Sequence, residues 1–243
     1  MNDLIISHFE QGSPEWLAAR KGVVTASNFS KIVTPKGLKP SAQADDYMDA
    51  LIGECYNPNA PDSFGGNIYT RYGTEMEPEA RRAFAHATKL DVREVGFCRR
   101  GAIGCSPDGL IFAGDNPIAG LEIKCLQPAG RVKAALSAEI PGNHLMQIHG
   151  SLHVTGLDLW YYWTYDPIMG GDLAEVRRDR TTEALGREVD AFAERYRQRV
   201  PDVERALEGP MHRQRLFRAF EEMHGAPNLS QTVALLHDEE GLL

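Results

Sequence analysis

The sequence GCSPDGL at residues 104–110, followed by LEIKC at residues 121–125, decides both the fold and the chemistry of this chain. In a strand, side chains alternate between two faces, so the apolar residues of the second segment point one way while Glu122 and Lys124 point the other. One face of this strand is therefore predicted to join the core, and the other face is predicted to carry polar chemistry.

A turn rich in glycine, asparagine and proline separates the two segments at residues 114–117. It allows a strand predicted at residues 103–112 to fold back on a strand predicted at residues 121–126 as a hairpin. This pairing is expected to bring Asp108 beside Glu122. Two adjacent carboxylates repel each other unless a cation lies between them, and hard oxygen ligands favour Mg²⁺ or Mn²⁺.

Lys124 adds a cation to this pair of carboxylates. A nearby lysine complements developing negative charge or helps to deprotonate water, so the group has the parts needed for metal-assisted hydrolysis of a phosphodiester. This combination of motifs occurs once in the chain. Glu-x-Lys is found at a single place, and of the three Pro-Asp pairs in the chain only the one at residues 107–108 lies shortly before it. The alternative interpretation is a salt bridge between Glu122 and Lys124 on an edge strand.

The surrounding pattern predicts one α/β domain with a central mixed β-sheet flanked by helices. The predicted helices lie at residues 14–21, 25–32, 74–88, 143–155 and 182–207, and the predicted strands at residues 92–99, 103–112, 121–126 and 159–165. The stretches at residues 35–41 and 57–67 are predicted loops, because both are rich in proline, glycine and asparagine.

Charge limits where a nucleic acid can bind. The 243 residues include 26 basic and 34 acidic side chains, a net charge of −8 that argues against a general nucleic-acid coat. Residues 16–44 hold five basic residues and no acid, so this stretch carries +5 and the rest of the chain −13. We therefore expect any nucleic acid to bind locally, at a basic surface beside the acidic metal site.

No apolar run approaches the roughly 18–20 residues of a membrane span, and the first residues lack the pattern of a secretion signal. The four cysteines, Cys55, Cys98, Cys105 and Cys125, form no CxxC pair and are predicted to be free thiols. These features favour a cytoplasmic protein with no membrane contact.

The combination of Pro107-Asp108 with Glu122-Ile123-Lys124 resembles the core of the PD-(D/E)xK nucleases. Further stretches resemble the phage lambda exonuclease, or YqaJ-like viral recombinase, family: EWLAARKGVVTAS at 15–27, YGTEMEPEAR at 72–81, GCSPDGL at 104–110 and HLMQ at 144–147. The motifs follow the family's order from about residue 11 to the 190s. The resemblance implies a restriction-endonuclease-like core in a single nuclease domain of residues 1–243, with the core at about 11–208 and a C-terminal extension at about 209–243.

The resemblance also implies an activity. It is that of a Mg²⁺-dependent exonuclease, with Mn²⁺ as a possible substitute, which processively degrades one strand of linear double-stranded DNA from the 5′ end. Such enzymes release 5′-mononucleotides and leave 3′ single strands for a single-strand-annealing protein. They work as a homotrimeric ring on DNA ends that carry a 5′ phosphate, in the cytoplasm of a bacterial cell or phage-infected host.

The same resemblance assigns roles to single residues. It implies that the metal ligands are Asp108, Glu122 and the backbone carbonyl of Ile123, with Glu77 assisting at the metal. It also implies that Lys124 orients or deprotonates the attacking water and that Gln147 lies beside the catalytic centre. The residues that it implies for binding of the terminal 5′ phosphate are Arg20, Ser27 and Ser106.

Other interpretations remain open for some of these residues. By spacing alone, residues 74–77 favour a capping box at a helix start, Arg20 an exposed helix residue and Ser27 a helix cap. Ile68 and Tyr69 stand where an apolar wedge would separate the terminal base pair, but no wedge residue can be assigned. In the C-terminal extension, residues 211–223 have the pattern of a basic amphipathic helix.

Two other functions compete with the exonuclease. A related endonuclease would cut circular duplex, and a catalytically idle protein would bind DNA ends as a recombination scaffold. An iron–sulfur relative of the same fold would need four clustered cysteines, whereas those of this chain are scattered along it.

Overall fold

The computed structural model describes residues 4–57, 68–137 and 139–207. Most of the predicted loop at 57–67, the side chains proposed for a wedge and the predicted helix at 211–223 lie outside the described residues. The described part contains nine strands: β1 (Ile5–Ser7), β2 (Val24–Thr25), β3 (Asp91–Arg93), β4 (Phe97–Arg100), β5 (Ile103–Cys105), β6 (Gly109–Ala113), β7 (Asn116–Cys125), β8 (Leu159–Tyr165) and β9 (Leu173–Arg177).

The helices flank these strands. In chain order they are α1 (Pro14–Arg20), α2 (Phe29–Ile32), α3 (Ala44–Tyr56), α4 (Ile68–Thr88), α5 (Pro128–Ser137), α6 (Gly142–Thr155) and α7 (Arg180–Leu207), with a short 3₁₀ turn (Ala26–Asn28) before α2. None of the described helices is both long and apolar enough to cross a membrane.

The strands form two mixed sheets. A five-stranded sheet has the order β3-β6-β7-β8-β9, with β7 and β8 parallel and the other pairs antiparallel. A smaller sheet has the order β1-β4-β5-β2, with β2 and β5 parallel. The predicted mixed α/β fold is confirmed, whereas the second sheet is a feature that the sequence did not predict.

The second sheet arises because two predicted strands are each divided. The strand predicted at 92–99 becomes β3 and β4, and the strand predicted at 103–112 becomes β5 and β6. Pro107 lacks the N–H that a central strand must donate, so the ladder stops there. The chain leaves the five-stranded sheet at residues 94–96 and returns to it at residues 106–108; we call these two stretches the crossing segments.

The predicted hairpin is present as β6 and β7, which pair with Gly109 opposite Leu121. Its turn includes Gly114 at a φ of +64°, a left-handed conformation that glycine adopts without steric cost. β7 starts at Asn116, five residues earlier than predicted, and runs for 10 residues through the centre of the sheet.

Two apolar layers fix the orientation of β7. On one face, Leu121 and Ile123 pack with Ala80 and Phe84 of α4 in one buried cluster. A larger cluster holds the buried faces of α6 and α7, with Trp160 and Tyr162 of β8. The alternation predicted from LEIKC is therefore confirmed, and Glu122 faces the side of the sheet where α6 packs.

Several helix bounds differ from prediction. The predicted helix at 25–32 is a strand end, a 3₁₀ turn and the four-residue α2, while α4 begins six residues before the predicted position and continues through Pro78. The predicted helices at 14–21, 143–155 and 182–207 correspond to α1, α6 and α7. All four cysteines are free thiols, as predicted.

Candidate active site

The open end of the hairpin, opposite its turn, brings two carboxylates together, one just before β6 and one near the end of β7. Asp108 lies just before β6, and its backbone N–H donates to the carbonyl of Leu121 at 3.1 Å. Its side chain accepts a hydrogen bond from the backbone N–H of Ile123, with an Oδ2 to N distance of 2.6 Å. Both bonds cross the hairpin, so pairing of the strands fixes the Asp108 carboxylate beside Glu122 of β7.

Glu122 is held by a cation and an amide. Its side chain is almost wholly buried, and Oε1 accepts from Lys124 Nζ at 2.5 Å. The other oxygen, Oε2, accepts from Gln147 Nε2 of α6 at 2.9 Å. The structure thus brings together four of the residues singled out from the sequence: Asp108, Glu122, Lys124 and Gln147.

These groups perturb each other's titration. Burial raises the pKa of Asp108 well above its usual value, and the negative charges of Glu122 and Glu77 raise it further. For Lys124, burial favours the neutral amine, but the carboxylates of Glu122 and Asp108 outweigh it and raise the pKa. The site therefore holds a protonated lysine near the Asp108 carboxyl group, which resists ionisation.

Glu77 faces the same acidic group from α4. Burial raises the pKa of Glu77 against the opposing charge of Arg81, and Glu94 and Glu122 add to the rise. The capping-box alternative for residues 74–77 is wrong, since α4 already runs from Ile68 and Glu77 lies in its interior. Instead, the Glu77 carboxylate accepts from Arg81 Nη2 at 2.5 Å, one helical turn later.

A second polar group lies at the end of α1. Arg20 Nη1 donates to Ser106 Oγ at 2.7 Å, and Trp16 Nε1 donates to the same oxygen at 3.1 Å. The Arg20 guanidinium also lies 4.2 Å from the centre of the Trp16 ring. A fixed guanidinium beside a hydroxyl is suited to a phosphate, because the guanidinium can form two parallel hydrogen bonds to it.

Ser27 is placed near this group by topology. It lies in the 3₁₀ turn that follows β2, and β2 pairs with β5, the strand that leads into Ser106. Its hydroxyl is 3.4 Å from Thr25 Oγ1. The structure therefore joins Arg20 and Ser106 directly and puts Ser27 on the neighbouring turn.

Sequence reasoning missed several residues that hold the site. Arg81 also donates from Nε to the carbonyl of Asp108 at 2.5 Å, and its i,i+4 spacing from Glu77 was a readable signal. Gln11 Nε2 donates to the carbonyl of Pro107 at 2.8 Å, a contact across 96 residues that leaves no local signal.

A neutral pair lies behind Lys124. Tyr162 of β8 stands opposite Glu122 in the sheet, and its hydroxyl is 2.9 Å from His144 Nδ1 of α6. Burial raises the pKa of Tyr162 to about 12, and burial together with the charge of Lys124 lowers the pKa of His144 to about 4. Both side chains are therefore uncharged at neutral pH.

The donor set fits a hard divalent cation. Within the described residues, no group of three or more His, Cys, Asp or Glu side chains is arranged to hold a metal ion. Asp108 and Glu122 instead offer carboxylate oxygens at an open site, and Mg²⁺ is usually bound by one or two carboxylates while it keeps several waters. Burial is the main cause of the raised pKa of Asp108, and a cation between the two carboxylates would relieve the repulsion from Glu122 that raises it further.

Comparison with known proteins agrees with this geometry. A family model described as the YqaJ-like viral recombinase domain matches residues 15–158, more than half of the chain. That range contains every residue discussed above from Arg20 to Gln147. No curated protein matches the chain closely enough to add a relative.

Solved structures also resemble the chain. The alkaline exonuclease LHK-Exo from Laribacter hongkongensis is 26% identical, with a TM-score of 0.69 and coverage of 81% of this chain and 98% of that chain. LHK-Exo in complex with dAMP gives the same values. A phage-related exonuclease from Haemophilus somnus 129PT is 16% identical, with a TM-score of 0.53 and coverage of 72% and 92%, and supports the fold alone.

We predict that Asp108→Asn stabilises the metal-free protein, because the carboxyl groups of the site are shielded from water and repel each other. Asparagine keeps an oxygen for the N–H of Ile123 but removes a charge that Glu122 and Glu77 oppose. Because the folded-state pKa of Asp108 is raised, the wild type loses stability as pH rises through the interval above about pH 4. We expect a gain on the order of 1–2 kcal/mol at pH 8, seen as a melting temperature several degrees higher in EDTA.

The control for this measurement is Asp166→Asn. Asp166 is also buried and accepts hydrogen bonds from the backbone N–H groups of Ile168 and Met169. It should show no such gain, and the gain of Asp108→Asn should fade as the pH is lowered to 4. An Asp108→Asn protein that melts at or below the wild-type temperature at pH 8 would contradict the account of repulsion.

Proposed function

Because the chain belongs to the YqaJ-like viral recombinase domain family, we propose that it is a metal-dependent 5′ to 3′ exonuclease acting on linear double-stranded DNA. Its similarity to the alkaline exonuclease LHK-Exo supports a phage-type exonuclease. That relative was solved with dAMP, a 5′-mononucleotide, which supports mononucleotides as the product here.

The proposal rests on one observation: the polar group that is suited to a phosphate and the carboxylate pair are both formed in part by the same three-residue segment. Ser106, which Arg20 contacts, is separated from Asp108 by Pro107 alone. Two residue steps span at most about 7 Å, which is of the order of one nucleotide along a strand. A terminal phosphate held at Ser106 would therefore leave the first internal phosphodiester near Asp108.

The proposed roles follow from the contacts. Asp108, Glu122 and the carbonyl of Ile123 would hold Mg²⁺, or Mn²⁺ in its place, with Glu77 assisting. The bound ion would supply a Lewis acid and a more acidic water. Gln147, which donates to Glu122, would keep that carboxylate oriented. Arg20, Ser27 and Ser106 would bind the 5′ phosphate, whose additional charge distinguishes an end from an internal position.

The contacts of Lys124 favour a role in orienting the attacking water over a role in abstracting a proton from it. In the metal-free protein the carboxylates of Glu122 and Asp108 raise the pKa of Lys124, and its ammonium donates to Glu122. A protonated lysine can hold the attacking water and complement charge that develops on the phosphodiester, but it cannot accept a proton. Of the two roles implied by the family, the structure supports the first.

The charge distribution supports binding at an end. The basic stretch at residues 16–44 includes Arg20 and the elements from α1 to α2, whereas the remaining chain carries −13. A local positive field beside the carboxylates draws DNA to this face, and the acidic remainder discourages binding elsewhere. We extend the proposal to processive degradation in the cytoplasm that leaves 3′ single strands for a single-strand-annealing protein.

The experiment that tests the proposal compares three substrates in Mg²⁺. They are linear duplex with 5′ phosphates, the same duplex with 5′ hydroxyls, and closed circular duplex, each also incubated with EDTA. We expect fast release of mononucleotides from the phosphorylated ends, slower release from hydroxyl ends, and no cutting of the circle or in EDTA. A label at the 5′ end should be released before a label at the 3′ end.

Each alternative has its own outcome in this digest. Equal attack on the circle would replace the exonuclease with an endonuclease. Binding of linear ends without any product would favour the idle recombination scaffold. Release of the 3′ label first would overturn the proposed polarity.

A second prediction concerns Lys124→Ala. Loss of the ammonium that contacts Glu122 should slow cutting by at least about 100-fold, because charge developing on the phosphodiester loses its partner. Binding of a 5′-phosphorylated duplex in Ca²⁺, measured by fluorescence anisotropy, should persist because Arg20 and Ser106 are intact. Lys133→Ala, an exposed lysine of α5, is the matched control, and full activity of Lys124→Ala would exclude the proposed role.

An exposed apolar surface supports the proposed homotrimer. Leu136 of α5 is 82% exposed and Ile168 is 93% exposed, with Val132, Met169 and Leu173 also exposed nearby in sequence. Arg131 ties α5 to the β8–β9 connection through a bidentate ion pair with Asp172 and a bond to the carbonyl of Gly170. Exposed apolar side chains on two segments linked in this way are typical of a protein contact, and we propose that a second copy of the chain covers them.

The assembly is tested by multi-angle light scattering. The wild type should have three times the chain mass, and the double variant Leu136→Asp with Ile168→Asp should shift toward the monomer, because a buried carboxylate opposes association. Ile118→Asp, at an exposed apolar position of β7, is the control. A wild-type monomer at working concentration would contradict the ring.

A further inference from the structure

The two crossing segments lie side by side without forming a strand ladder. The registered pairs of β3 with β6 stop at Arg93 and Leu110, and those of β4 with β5 resume at Cys98 and Cys105. Between them, residues 94–96 face residues 106–108. Residues 106–108 include Ser106, which belongs to the proposed phosphate-binding group, and Asp108, which belongs to the carboxylate pair. The position of this segment therefore sets the distance between these two parts of the site.

Three side chains from elsewhere bridge the crossing segments at successive levels. Arg81 donates to the Glu94 carboxylate at 2.7 Å and to the carbonyl of Asp108 at 2.5 Å. Gln11 Nε2 donates to the carbonyl of Val95 at 3.1 Å and to that of Pro107 at 2.8 Å.

Trp16 forms the third bridge. Its indole N–H donates to the carbonyl of Gly96 at 3.0 Å and to Ser106 Oγ at 3.1 Å. The bridged pairs are thus 94 with 108, 95 with 107, and 96 with 106. Side-chain donors replace the backbone ladder at each level of the gap.

Close packing holds the Gln11 segment against the same place. A Cβ added to Gly96 would collide with the backbone of Phe9, so the chain before Gln11 passes directly over the first crossing segment. The backbone N–H of Gly96 also donates to the carbonyl of Ser7 at 2.8 Å. Backbone contacts therefore hold the segment that carries Gln11 against the first crossing segment, and they restrict the direction of the Gln11 side chain.

We propose that Gln11 and Arg81 are positioning residues that fix the spacing between the 5′-phosphate group at Ser106 and the carboxylates at Asp108. The inference rests on the proposed exonuclease function and deepens it. Neither residue is required to touch the substrate, because Gln11 binds two carbonyls and Arg81 binds a carbonyl and two carboxylates. Their effect is transmitted by the backbone of residues 106–108.

Fixed spacing has a measurable consequence. Binding of the terminal phosphate accelerates cutting only if it places the next phosphodiester in reach of the carboxylates, so a looser segment loses the benefit of the phosphate. The rate advantage of a 5′ phosphate over a 5′ hydroxyl is therefore the quantity that depends on the bridges. A residue that merely supports folding would slow both substrates alike.

The test uses Gln11→Met in the full chain, because methionine keeps the length of the side chain but donates no hydrogen bond. Single-turnover rates in Mg²⁺ are measured on linear duplexes with 5′-phosphate or 5′-hydroxyl ends. We expect the ratio of the two rates to fall about tenfold, since a misplacement of about 1 Å costs up to about 100-fold in rate. Gln198→Met is the matched control, because Gln198 binds only Glu194 of its own helix among the contacts described.

A binding measurement accompanies the rates and needs no cutting. Affinity for each duplex is measured with and without Ca²⁺. In the wild type we expect Ca²⁺ to strengthen binding of the phosphorylated duplex more than that of the hydroxyl duplex, because one ligand then occupies both parts of the site. Gln11→Met should lose most of this difference while its affinity in the absence of Ca²⁺ changes less than about threefold.

Arg81→Lys tests the second bridge if Gln11→Met fails to fold. Lysine keeps the charge but cannot reach Glu77, Glu94 and the carbonyl of Asp108 together. Its matched control is Arg178→Lys, because Arg178 also has three hydrogen-bond partners, two carbonyls and a carboxylate, which lie around the end of α6 and the start of α7. We expect both arginine variants to have a lower melting temperature than the wild type. Only Arg81→Lys should reduce the ratio of the rate on 5′-phosphate ends to the rate on 5′-hydroxyl ends.

The outcomes separate the two levels of the proposal. An unchanged rate ratio and an unchanged Ca²⁺ effect, or equal slowing on both substrates, would overturn the positioning role. If the wild type cuts no DNA, the exonuclease itself fails, and the Ca²⁺ comparison alone decides whether the bridges couple the two groups.

Discussion

Repulsion between the carboxylates of the partly buried Asp108 and the buried Glu122 is the constraint on which the rest of the structure depends. Removal from water is unfavourable for each carboxylate. Burial raises the pKa of Asp108, and the charge of Glu122 raises it further. The fold holds them together by satisfying their oxygens: Ile123 donates to Asp108, while Lys124 and Gln147 donate to Glu122. The apolar face of β7, packed on α4, supplies the burial that stabilises this arrangement.

Much of this arrangement follows from the sequence, because its causes are local. Alternation in LEIKC separates the core face of β7 from its polar face, and the glycine turn at residue 114 requires the hairpin that brings Asp108 to Glu122. The helix that carries Gln147 follows from its own apolar pattern. Residues near each other in the chain, with strict strand or helix periodicity, are therefore placed correctly by sequence reasoning.

What the sequence did not predict depends on distant partners. Pro107 marks the break between β5 and β6, but no local pattern indicates that β5 pairs with β2 and β4 in a separate sheet. The capping-box interpretation failed because α4 extends through Pro78, where tertiary packing overrides the signal of a helix start. Gln11 left no signal at all, since its partners lie 84 and 96 residues away.

The gap between the two sheets explains why the chemistry lies there. Inside a ladder, backbone N–H and C=O groups are occupied by neighbouring strands, and side chains follow the pleat. At the crossing segments the ladder is interrupted, so the carbonyls of Val95, Gly96 and Pro107 accept from side chains instead. This frees Ser106 and Asp108 from strand alternation and lets two residues separated only by Pro107 serve different groups of the site. An uninterrupted strand would put both on one face at a spacing set by the pleat, whereas the crossing lets side-chain contacts set that spacing.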